Sequence, residues 1–208
     1  MLAYRNDPAL KEACIARIDD DFTDKTLRDH FGADDPAASI RDIAHAIQSD
    51  LGIPGRLAHL LYTLQHYLPD EAAEEWFTRF FSSITPGADL TRVADHFVLW
   101  ILTNPEGPRR KASSSDTERF DFAAQLYDRR LSGDEPRREE WDQAASIEGM
   151  LARIEEFAEL LSTCLHAANC APTITSAVIL ANQSGTPWDR MAAKLIALIE
   201  AAPAPART

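Results

Sequence analysis

Residues Leu51 to Thr103, LGIPGRLAHLLYTLQHYLPDEAAEEWFTRFFSSITPGADLTRVADHFVLWILT, decide the fold. Pro69-Asp70 and Thr85-Pro86-Gly87-Ala88-Asp89 cut the stretch into three segments. At about 100° per residue, the first segment places Leu57, Leu60, Leu61, Leu64 and Leu68 on one helical face, with His59 and His66 opposite. The second gathers Ala73, Trp76, Phe77, Phe80 and Ile84, with Phe81 at the edge. Glu71, Glu74, Glu75, Thr78, Arg79 and Ser82 make its polar side. The third segment is apolar almost all round, through Leu90, Val93, Ala94, Phe97, Val98, Leu99, Trp100, Ile101 and Leu102. Only Arg92, Asp95, His96 and Thr103 form a polar strip. A helix of this kind is normally buried, so Leu90–Thr103 is expected to be the central rod of the molecule. On that expectation Trp100→Ala costs about 3–5 kcal/mol.

Outward from this stretch the pattern stays helical. Pro8 follows Asp7, Pro36 follows Asp35 and Pro187 follows Thr186. Each pair is a capping residue before a proline at the first helical position, where the missing N–H costs nothing. A first helix is expected from Pro8 to about Asp19, with Leu10, Cys14 and Ile18 inward. A short helix is expected over Thr23–Phe31, and another from Pro36 carrying Ile40, Ile43, Ala44 and Ile47. Asn104 to Ser115, NPEGPRRKASSS, has the composition of a mobile loop. Helix resumes over Asp116–Leu131. Pro136 to about Ala168 reads as the longest helix, with a seam of Ile147, Leu151, Ile154, Ala158, Leu161 and Leu165 and a possible break at Gly149. Two shorter helices follow, over Ile174–Asn182 and from Pro187, the latter with Trp188, Met191, Ala192, Leu195 and Ile199 inward. Sustained β alternation and hairpin dipeptides are missing. The sequence therefore predicts an all-α, single-domain helical bundle of about eight helices over residues 1–201, with a disordered tail over 202–208. The alternative is a HEAT-like array of helical hairpins.

Apolar residues make up 45% of the chain, enough for a substantial core. The net charge is −12, which disfavours direct nucleic-acid binding because phosphates are neutralised by Lys and Arg surfaces. It suits a basic protein partner, although simple solubility through self-repulsion explains it too. Three cysteines, Cys14, Cys164 and Cys170, make no disulfide framework and fit reduced thiols in the cytoplasm. The opening residues have no apolar signal-peptide core, and no apolar run is long enough for a membrane span.

Several stretches resemble a family of short bacterial and phage-encoded helical proteins. They are Tyr4-x-Asn6-Asp7-Pro8-x-Leu10-Lys11, Leu51-Gly52-Ile53-Pro54, the run from Trp76 through Pro86-Gly87-Ala88-Asp89-Leu90, and Leu99-Trp100-Ile101-Leu102-Thr103, with Met191-Ala192-x-Lys194-Leu195 near the end. The family has no assigned activity, so the resemblance implies origin and a shared fold rather than a mechanism. Many members carry a Gly- and Cys-containing segment ending in His before the Leu-Gly-Ile-Pro stretch. This chain has Asp19–Ser49 there, without cysteine.

Candidate chemistry is sparse. Cys164-x-His166-x-x-x-Cys170 contains metal-ligand types, but on one helix Cys164 and His166 diverge by about 200°, and structural zinc wants four ligands. Asp42-x-x-His45 is one carboxylate–imidazole pair where a di-iron bundle needs two and further carboxylates. Asp95-His96 could titrate as a pair or simply contact a neighbouring helix. No cofactor or metal is therefore assigned. Glu148, Glu155 and Glu159 form a stripe off the seam of the long helix, with Glu139, Glu140, Asp142 and Glu156 adding negative charge. This is either a solvated face or a docking surface for a basic partner. His59, Tyr62 and His66 lie off the leucine face, as a second packing face or a contact patch. The sequence thus favours a non-enzymatic, acidic protein-interaction module of bacterial or mobile-element origin. The alternatives are a small hydrolase or metal-dependent enzyme with an unrecognised His/Asp/Cys site, and a structural or oligomerising bundle.

Overall fold

The computed structural model describes residues 2–21, 40–152 and 157–204, without the side chains of 19–21. Expectations for Thr23–Phe31, for a helix start at Pro36, and for Ile154, Glu155 and Glu156 lie outside these residues. The described chain is all-helical, with ten α-helices where the sequence suggested about eight. No helix among the described residues is long and apolar enough to cross a membrane. Packing divides the chain into two compact units, Met1–Val93 with Trp188–Thr208, and Ala94–Pro187.

The first unit begins with a turn, Ala3–Asn6, leading into α1 (Pro8–Asp21). The Asp7 carboxylate caps α1 by accepting from the Ala9 N–H at 2.9 Å. α2 (Ile40–Leu51), α3 (Gly55–Tyr67) and α4 (Asp70–Ser83) follow, and α10 (Trp188–Glu200) closes the unit. The leucine face is buried as its spacing predicts, and so are Trp76, Phe77, Phe80 and Phe81 of α4. Buried Tyr4 donates its hydroxyl to the Phe81 carbonyl, and Trp76 Nε1 donates to the Ala192 carbonyl of α10. α3 is enclosed on more than its leucine face, because α2, α4 and α10 all pack against it. Ala58, His59 and Thr63 are therefore buried too. The Pro203 carbonyl accepts the Asp89 N–H.

The second unit holds most of α5 (Val93–Thr103), then α6 (Ser114–Leu131), α7 (Arg138–Leu151), α8 (Ala158–Ala167) and α9 (Thr173–Gln183). Ser113 and Asp116 form a reciprocal capping box at the start of α6. The 104–115 connection contains a 3-10 turn at Pro108–Lys111. Two sequence expectations are corrected here. Phe97, Val98, Ile101 and Leu102 of α5 are buried, but Leu99 and Trp100 are only half-buried. The helix on which α6, α7 and α9 all pack is α8. The long helix expected over 136–168 is two helices that pack against each other, and Ile147 of its expected seam is exposed. The buried face of α7 is Trp141, Ala144, Ala145 and Glu148 instead.

Candidate interaction surface

Among the described residues of the first unit, the most exposed aromatic ring lies where the chain reverses between α3 and α4. Pro69 disfavours helical geometry at Leu68, which is extended at φ −73°, ψ 151°. Only two residues separate the helices, so Tyr67 ends α3 and Asp70 begins α4. α10 brings Trp188 to this corner. Its indole lies parallel to the Tyr67 ring, with centroids 4.5 Å apart and planes 4° apart. His66 meets the Tyr67 edge at 5.0 Å, and Tyr62 lies parallel to His66 at 6.3 Å. Tyr67 is 42% exposed, His66 is exposed, and Tyr62 and Trp188 are half-buried.

The helix that starts at this corner is rich in carboxylates. Asp70, Glu71, Glu74 and Glu75 are all exposed on α4, and none is in an ion pair among the described residues. Asp70 and Glu71 occupy the first turn, where the helix dipole favours negative charge. Asp189 and Arg190 follow Trp188 and are also exposed. A flat π face within a negative field attracts cations, and arginine best of all, since a guanidinium both stacks and pairs with carboxylates.

The residues singled out from sequence are dispersed. His59 is 4% exposed, so of the two readings it fits a second packing face and not a contact patch. Burial, reinforced by the charge of Arg41, lowers its pKa. Only His66 of the two histidines reaches the surface. Glu148 is also buried, contrary to expectation, and pairs with Arg119, whose guanidinium is shared with Asp116. Glu159 is exposed. Part of the remaining acidic field on α7 is balanced by arginines. Glu140 pairs with Arg129 and Arg137, and Asp142 with Arg138. Arginines thus offset part of the charge of α7, whereas Asp70, Glu71, Glu74 and Glu75 of α4 have no ion-pair partner among the described residues.

Cys164 is fully buried, and desolvation pushes its thiol up to about 12. His166 and Cys170 are exposed, and the His166 ring nitrogen Nδ1 lies 2.9 Å from the Ser162 carbonyl of its own helix. Cys14 belongs to the first unit, and burial raises its thiol to about 11. Among the described residues, no three His, Cys, Asp or Glu side chains converge as a metal site would require. Asp95 is buried, 3.8 Å from Arg130 Nε, while His96 points outward, so they do not act together. Asp42 and His45 are both exposed.

Sequence reasoning identified His66 and Tyr62 but missed the Tyr67–Trp188 stack. Trp188 fits the apolar period of α10 and so reads as a core residue. Tyr67 lies 121 positions away, and no local signal links the two. No family model, curated protein or solved structure matches the chain.

Proposed function

We propose that the chain is a non-enzymatic interaction module whose Tyr67–Trp188 face receives a basic segment of a partner protein. The observation that carries this reading is the parallel stack of exposed Tyr67 on half-buried Trp188, at the corner where α4 starts with four exposed carboxylates that have no ion-pair partner among the described residues. Buried aromatic pairs are ordinary core packing. An exposed pair beside unpaired acids is a surface suited to Lys and Arg side chains. The excess of 33 acidic over 21 basic residues draws such a partner from a distance.

The test is an amide NMR titration of the full chain with an alternating lysine–arginine octapeptide, and with a glutamate–aspartate octapeptide as control. The basic peptide should shift the Tyr67, Asp70 and Trp188 signals saturably and bind more weakly at high salt. Tyr67→Ala should weaken binding by about tenfold. Equal binding of the acidic peptide, or shifts that avoid these residues, would overturn the reading.

A further inference from the structure

A second feature of the first unit lies at the opposite end of the chemistry, and it is cationic. A pocket of about 590 Å³ is lined by Leu2, Arg5, His45, Gln48, Ser49 and Gly52. In a chain of net charge −12, a cavity furnished with an arginine and a histidine runs against the general field.

Its wall depends on an unusual backbone. Tyr4, Arg5 and Asn6 have φ values of 49°, 51° and 59°, three successive non-glycine residues in the left-handed region. Such residues are strained and persist only where the surroundings hold them. Here the Tyr4 hydroxyl is bonded to the Phe81 carbonyl, and Ala3 exchanges backbone hydrogen bonds with Gly87 and Ala88. The left-handed course brings the Arg5 Nη2 to the Ser49 carbonyl, in the last turn of α2.

That contact has a structural use, since a cation at a helix C-terminus offsets the negative end of the dipole. It engages one donor of a guanidinium that has five. The neighbouring groups are donors as well. Gln48 commits its Oε1 to the Gly55 N–H at 3.0 Å, so among the described residues the free part of its amide is the NH₂. His45 adds an exposed imidazole. The Ser49 hydroxyl is bonded to the Ala46 carbonyl and to the Asp50 carboxylate, so it adds no positive character. Leu2, 48% exposed and tied to Asp89 by an isolated β-bridge, supplies an apolar wall.

We propose that this pocket binds a small organic anion, with its carboxylate or phosphate head on Arg5, His45 and the Gln48 amide and a short apolar body on Leu2. Charge-assisted hydrogen bonds from a guanidinium would provide most of the affinity. The site is independent of the aromatic face and would stand if that face binds nothing.

The experiment is an amide NMR titration of the full chain with hexanoate, hexyl phosphate and, as a neutral control, hexanol. At least one anion should shift Arg5, Ser49 and Gly52 saturably below about 10 mM, with hexanol far weaker. Comparing the two anions identifies the preferred head. Arg5→Gln should weaken binding at least about tenfold. His45→Gln, at an exposed position, should weaken it about threefold with the melting temperature unchanged. It decides the matter if Arg5→Gln does not fold. Hexanol binding as tightly as the anions, no saturation by either anion, or His45→Gln binding like wild type would overturn the proposal.

Discussion

At the scale of single residues, the groups that decide behaviour are polar side chains in dry places. His59 lies 4% exposed on α3, and its folded-state pKa is lowered, first by burial and then by Arg41. The unfolded chain therefore binds the proton more readily than the folded one, so stability rises with pH across the interval between the two pKa values. The contribution is complete above the unfolded value of about 6.5 and is lost as pH falls from there towards the lower folded value. We expect the melting temperature of the wild type to drop between pH 7 and pH 5, and His59→Leu to flatten that drop. Parallel curves for the two proteins would count against a buried neutral imidazole. Arg119 and Glu148 make a second such case, with side chains 17% and 10% exposed. Removing one partner strands the other charge. Arg119→Leu should therefore cost about 3 kcal/mol in urea unfolding, and Arg119→Leu/Glu148→Leu should recover most of that loss. If the double variant were no more stable than the single one, the pair would have no such coupling.

At the scale of elements, Trp141 and Trp100 separate what the sequence could and could not show. Both lie in helices with apolar periods. Trp141 is 1% exposed and its ring meets Tyr127 edge-on at 5.0 Å, whereas Trp100 is half-buried. Trp141→Ala should therefore cost about 3–5 kcal/mol and Trp100→Ala about 2 kcal/mol. Equal losses in denaturant titrations would restore α5 to the central place its composition suggested. Helical class was legible because the leucines of α3 and the phenylalanines of α4 follow the helical period without interruption. The α7 register was not legible, because hydrophobicity favours Ile147 over Ala144 and Ala145. Yet small residues are what allow α7 and α8 to approach closely, near enough for the Ser162 hydroxyl to reach the Ala145 carbonyl at 3.2 Å. The same blindness hid the burial of Glu148 and left that of His59 undecided. A helical wheel gives the apolar side of one helix, but not how many neighbours will surround it. The left-handed course of Tyr4–Asn6 was equally invisible, since none of its residues is glycine.

At the scale of the molecule, the excess of acids and the local aromatic surface should act on different steps of binding. Long-range attraction sets how often a basic partner arrives, and it fades as the Debye length shrinks from about 10 Å at 0.1 M salt to about 3 Å at 1 M. Ring stacking operates only after contact, so it sets how long the partner stays. Asp70→Asn/Glu71→Gln/Glu74→Gln/Glu75→Gln removes negative charge beside the rings without touching the core, because all four side chains are exposed. For the lysine–arginine octapeptide, stopped-flow mixing should find its association rate reduced up to about tenfold, with a much smaller salt dependence. Its dissociation rate should change less. Tyr67→Ala should do the reverse, raising dissociation about tenfold while leaving association and its salt dependence close to wild type. If both variants altered the same rate constant, charge and aromatic surface would not be separable contributions. If neither altered any, the ring pair at the α3–α4 corner would be packing that happens to face water, and the acids of α4 would serve solubility alone.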